Sequence, residues 1–308
     1  LAQQPRVVDA AALSQALAAK ADSEGEQRAL VGRVLDRGNV RDMAARMGLN
    51  VEQAKSAVAT LTTAPVGATC IAQFVLPEVV DLVVSRLPIL EFFYEWPDPA
   101  RVPSNVICGW QVGSVDEAKA AVDAGCRYVI AQGVEAGGHV RGHVPLGELL
   151  PAVRNAVDVP VVAAGGIGSA DAVRAAMALG ADGVRVGTRF VATRESYAHP
   201  LYIDALVAAA TDDSVLTEAF GVGWPDAPHR VLRSSIDAAT AAPTDIVGET
   251  PLASGQVMKM PRFGVSSPNR DTTGDIRAMA LYAGRSVGSV DRVMTAAEVV
   301  AELSLGFG

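Results

Sequence analysis

The chain has 308 residues, half of them hydrophobic and 19% charged, with 29 glycines and 17 prolines. That is room for one large domain or two ordinary ones, and too apolar a composition for a disordered chain. A formal net charge of −8 argues against nucleic acid or an anionic membrane surface as a partner, and no apolar run approaches the ~20 residues that span a bilayer.

Residues 1–60 hold 7 acidic and 8 basic side chains and no aromatic one, Phe74 being the first of 15 in the chain. Their Ala-rich, helix-spaced pattern predicts helices over 9–20, 24–37, 39–47 and 50–61, with Asp9, Asn39 and Asn50 as N-caps. The expected division is therefore a helical segment, 1–61, carrying nothing catalytic, and a second unit, 62–308. The chain opens on Leu1 without a basic-then-apolar export signal, so the expectation is a fragment or processed product of cytoplasmic location.

From residue 66 the rhythm changes. Strands are predicted over 66–74, 89–94, 106–112, 128–133, 160–166 and 183–188, and helices over 77–86, 115–125, 146–156 and 169–179. Strands apolar on both faces, separated by amphipathic helices, are βαβ units of a parallel sheet. The class is α/β, and doubly wound and barrel folds share its rhythm. Beyond residue 190 helices are expected over 197–210, 271–284 and 295–304, with the Pro-, Gly- and Ser-rich stretch 241–274 as an excursion loop. Cys70, Cys108 and Cys126 are odd in number and read as free thiols of a reduced compartment. No CxxC or HExxH spacing suggests zinc.

The strongest chemical signal is AAGGIGS (163–169), a buried strand running into paired glycines and then a helix capped by Ser169. Glycines let backbone N–H groups approach an anion, and a helix N-terminus favours it. A second turn of this kind, GTR (187–189), follows the next strand. Adjacent glycine-rich strand ends are where a (β/α)₈ barrel holds phosphate. AQGVEAGGH (131–139) also sits at a strand's C-terminal end and carries His139 behind two glycines. A histidine so placed can approach a ligand, titrates near neutrality and suits a general base. His143, His199 and His229 have weaker claims, the last two lying beside prolines in polar loops. GRSVG (284–288) matches a nucleophile elbow, but the preceding segment reads as helix and no histidine follows Ser286. A serine hydrolase is rejected. The glycine spacing fits neither a Walker A loop nor a Rossmann turn.

Together AQGVEAGGHVRG (131–142), VPVVAAGGIG (159–168), ADGVRVGTRFVAT (181–193) and DTTGDIRAMALYAGRSVG (271–288) resemble the nitronate monooxygenase family, from about residue 65 onward. The resemblance implies an FMN-containing TIM barrel that oxidises alkyl nitronates or nitroalkanes with O₂ to a carbonyl compound and nitrite. By the same resemblance Gly165, Gly166, Gly187 and Thr188 fall on phosphate positions of FMN. Gln132, Gly137 and Gly138 fall on flavin- and pocket-lining positions, and His139 on the family histidine that acts as catalytic base or contacts the substrate. Tyr282 and Ser286 fall in a tail motif near the mouth of the site. The family's first strand, with its Pro-Met dipeptide, and the unit after it have no match here. The expected fold is thus a TIM-barrel-like parallel (β/α) barrel lacking the family's first two strands. An open sheet edge, prone to self-association, would follow. An FMN-dependent NAD(P)H reductase with a quinone or enoyl-thioester acceptor, and a catalytically impaired barrel, are the alternatives.

Overall fold

The computed structural model describes residues 67–71, 88–94, 102–251 and 256–307. The helices expected over 1–61 and 77–86 lie outside the described residues. So does the place of the family's first two strands.

The backbone of the first half is a parallel sheet. Its strands are β1 (Gly67–Ile71), β2 (Ile89–Phe93), β3 (Ile107–Val112), β4 (Tyr128–Gln132), β6 (Val161–Ala164) and β7 (Gly183–Arg185). They lie in the order β1-β2-β3-β4-β6-β7, every neighbouring pair parallel. Helices α1 (Val115–Asp123), α2 (Leu146–Ala156) and α3 (Ala170–Ala178) provide the crossovers. The local chemistry explains their starts. Ser114 accepts from the Glu117 N–H at 3.1 Å, and Ser169 from the Ala172 N–H at 3.2 Å, each supplying an N-cap. Strands buried on both faces, such as the tract Val129, Ile130 and Ala131, lie at 1% exposure or less, as a helix-covered parallel sheet requires.

The sheet curls around a polar lumen. Gly109 pairs with Tyr128 in the β3–β4 register, and any side chain at Gly109 would collide with the Tyr128 ring. The ring therefore lies across β3, and its hydroxyl donates to Glu91 on β2 at 2.7 Å. Glu91 also accepts from the Thr69 hydroxyl of β1 (2.6 Å) and pairs with Arg185 of β7 (2.9 Å). Arg185 donates in turn to Thr69 Oγ1 (2.9 Å) and Gln111 Oε1 (3.2 Å). Side chains thus join β1 and β7, the two edge strands among the described residues. This is the parallel (β/α) barrel architecture expected from the sequence.

Past β7 the chain departs from expectation. After α4 (Thr188–Val191) and α5 (Pro200–Ala208) come β8 (Ser214–Thr217), β9 (His229–Leu232) and α6 (Arg233–Ala241). The expected excursion loop is instead an antiparallel sheet of β10 (Ile246–Pro251), β11 (Val257–Pro261) and β12 (Thr273–Gly274). The helix expected over 271–284 is also replaced. A short 3₁₀ turn, Ile276–Ala278, is followed by extended chain and a second 3₁₀ turn, Arg285–Ser289. The terminal helix α7 (Ala296–Ser304) opens on a capping box of Thr295 and Glu298. Among the described residues no helix is long and apolar enough to cross a membrane.

Candidate active site

Two layers meet at the C-terminal ends of the parallel strands. β5 (Gly138–His139) leaves the loop after β4 and joins the post-barrel hairpin, pairing antiparallel with β9. In that register Gly138 faces Arg230 and His139 faces His229. Arg230 secures the junction, donating twice to the Val134 carbonyl (3.0 and 2.8 Å) and once to that of Ser214 (3.0 Å).

Between the layers lies a cavity of about 450 Å³, inside the ~300–1,000 Å³ range of small-molecule sites. It gathers eight of the residues expected from the sequence: Gln132, Gly137, His139, Gly165, Gly166, Gly187, Thr188 and Ser286. Gly138 and Tyr282 are not in its lining. Gly138 turns the chain at φ 74°. Tyr282 stands behind His139, ring centres 5.6 Å apart, and donates its hydroxyl to the Val265 carbonyl at 2.8 Å. Burial pushes its phenol well above the ordinary value.

Both glycine turns line the cavity. Gly165 and Gly166 have φ of 110° and 70°, left-handed values that favour glycine, and a Cβ on Gly165 would come within 2.9 Å of the Gly133 carbonyl. Gly187 precedes α4 and has open space where a side chain would stand. Some side chains serve the loops as well as the cavity. Gln132 donates to the His139 carbonyl and accepts from the Arg141 N–H, both at 2.9 Å, and so fixes the His139 loop to β4. The Thr188 hydroxyl accepts from the Gly284 N–H at 3.0 Å, holding the tail against the second turn. Ser286 lies in a buried 3₁₀ turn, not on a strand-to-helix elbow, as expected.

His139 is the chemically distinctive group. Its Nε2 is buried without a hydrogen-bond partner. Burial, reinforced by His229 nearby, pushes its pKa down from 6.5 to about 3. The near-neutral titration expected from residue type is thereby corrected: the imidazole is neutral at physiological pH. His199 caps the start of α5, whereas His229, expected in a polar loop, is fully buried in β9. His229 accepts from the Phe220 N–H (3.1 Å) and bonds the Ala227 carbonyl (2.8 Å), and His199 accepts from the Leu201 N–H (3.1 Å) at the start of α5. Cys108 and Cys126 are free, buried and 3.6 Å apart at sulfur.

Sequence reasoning missed Thr69, Phe93, Gln111 and Arg185 in the cavity lining, and Trp224 stacked on His139. Glycine opposite Tyr128 was the one available hint of a lumen filled from β4.

Comparison with known proteins accords with this geometry. Residues 100–306 match the family described as nitronate monooxygenase. A Mycobacterium tuberculosis protein named as a monooxygenase, Rv1533, is 34% identical over 203 residues, covering 65% of this chain and 52% of that protein. The chain thus spans about half the length of the curated relatives it matches. Among solved structures, FabK from Thermotoga maritima superposes with a TM-score of 0.61 at 24% identity, covering 87% of this chain and 88% of that one. A nitroalkane oxidase from Streptomyces ansochromogenes gives 0.59 at 27% identity, covering 83% and 85%.

Proposed function

Because the chain belongs to the nitronate monooxygenase family, we propose that it is an FMN-dependent oxidoreductase that converts alkyl nitronates and O₂ to a carbonyl compound and nitrite. The observation that carries this reading is the convergence of both glycine turns and His139 on one cavity. The residues fit a flavin. Gly165, Gly166, Gly187 and Thr188 would hold the phosphate through backbone N–H groups. Gln132, Gly137 and Gly138 would support the wall beside the ring. FMN, when bound, supplies the electron-accepting chemistry.

The protein's own part is to bind and orient the substrate and exclude water. A nitronate arrives already deprotonated and negatively charged. In the tautomer that carries its proton on Nε2, the neutral imidazole donates to a nitronate oxygen, and that bond supplies a partner for a buried polar atom that otherwise has none. Abstraction of a C–H proton from a neutral nitroalkane demands more. General bases work best with a pKa near the operating pH, and His139 lies near 3. A base with its pKa held this low suits the nitronate better than the nitroalkane.

Absorbance of the purified protein, with release of the chromophore by heat and its identification as FMN, tests the cofactor. Turnover of a pre-formed nitronate should exceed that of the neutral nitroalkane by about 100-fold or more. A colourless protein that takes up no added FMN would overturn the reading. Anaerobic bleaching of the flavin by NADH would move it to the reductase alternative.

A further inference from the structure

The indole of Trp224 lies flat on the His139 imidazole, ring centres 3.8 Å apart and planes 18° from parallel. Tyr94, at the end of β2, meets the indole edge-on at 4.7 Å. Its φ of 59° is a left-handed conformation that a bulky residue rarely adopts, and such strain clusters at functional sites. Its hydroxyl reaches the Val140 carbonyl (3.4 Å), and the Arg141 guanidinium covers its ring at 5.2 Å.

The loop carrying Trp224 is equally constrained. His229 bonds the Phe220 N–H and the Ala227 carbonyl, closing the loop and fixing its own neutral tautomer. Gly223 and Asp226, flanking Trp224 and Pro225, both have positive φ, at 101° and 54°. Two strained backbones and a histidine clasp thus converge on one stacked pair.

We propose that Trp224 is a positioning residue for His139, its indole fixing the imidazole plane and keeping water away so that Nε2 meets the substrate in one orientation. The inference rests on the substrate role assigned above to His139. The groups facing the imidazole come from four elements: Trp224 from the loop, His229 from β9 at 5.3 Å, Tyr282 from the tail at 5.6 Å, and Tyr94 from the end of β2 at 6.4 Å. Arg141 stands beyond Tyr94. Removing the indole lets water reach a ring whose neutrality depends mainly on burial.

The test is nitrogen NMR of histidine-labelled protein across pH, His139 being assigned by its loss in His139→Gln, with steady-state kinetics on a nitronate alongside. Wild-type His139 should remain neutral to pH 5. Trp224→Leu, which keeps an apolar side chain, should let the ring take up a proton at higher pH. It should also lower kcat by about 10- to 100-fold, the scale of misplacing a reacting group, with KM changed less than kcat. Trp224→Phe, which retains a ring, should recover most of both effects. Unchanged nitrogen signals and kcat in Trp224→Leu would overturn the proposal, as would a loss confined to KM. Should Trp224→Leu fail to fold, Trp224→Met, which fills the space without a ring, decides: its His139 must take up a proton at higher pH than in the wild type, and an unchanged titration overturns the proposal. A wild-type protein inactive on nitronates but showing the expected nitrogen response would refute the proposed function and leave the positioning intact.

Discussion

The barrel half and the post-barrel half solve opposite problems. In the first, the parallel sheet is covered by helices, and its strand ends are left as glycine turns with open backbone. In the second, two three-stranded sheets surround a core that includes Phe220, Val231 and Met260, all at 2% exposure or less. The second half brings the indole stacked on His139, while the first brings the glycine turns that line the cavity. The aromatic rings of Trp224 and Tyr282 stand against His139 rather than in that lining.

The seam between the halves is the place to break this comparison. Gly137 and Gly284 cross so closely that a Cβ on Gly137 would overlap the Gly284 nitrogen and crowd Ala283 and Thr188. The two closest clashes, with Gly284 and Ala283, are with backbone, which cannot swing away. Gly137→Ala should destabilise the protein by about 3 kcal/mol or more and abolish flavin retention, as read by thermal unfolding and absorbance. Arg230→Met comes next. It removes three hydrogen bonds to two carbonyls, and a loss of about 2–3 kcal/mol is expected. Denaturant titration should show the post-barrel half loosening while barrel secondary structure persists.

The smallest effect sharpens the contrast through pH. The folded protein keeps His139 neutral down to about pH 3, whereas the unfolded chain binds that proton near 6.5. Below about 6.5 the unfolded state holds more protons, so stability falls as pH drops toward 3 and rises again with pH. Between pH 7 and pH 5 this contributes about 1–2 kcal/mol. His139→Phe should unfold with a correspondingly shallower acid dependence, and an identical dependence in both proteins would show that the buried ring is not its source.

How far the sequence could be read also divides along the seam. The βαβ rhythm and the glycine turns were legible because both are local: the strand-turn-helix signal at 163–169 and the Ser169 cap depend on neighbours in sequence. His139 was legible by its place behind two glycines. The tail was not. Ala278, Met279, Ala280, Leu281 and Ala283 are all buried to 2% or less, so the run has no exposed face and its periodicity cannot separate helix from extended chain. Strands β8 to β12 are between two and six residues long, and Pro251 and Pro261 stand within them, which disguised the sheet as a loop. The Arg185–Glu91 pair and the Trp224 stack join residues far apart in the chain, and only the assembled fold brings them together.

The hold of Arg230 on Val134 spans 96 residues of chain. Ribosomes add about 5–20 residues each second, so the strand that receives His139 emerges roughly 5–20 s after the loop that carries it. During that interval the parallel sheet can form while the His139 loop lacks its partner. Completion of the site therefore waits on the second half, and a nascent chain halted after α4 would hold both glycine turns but not the indole that stacks on His139.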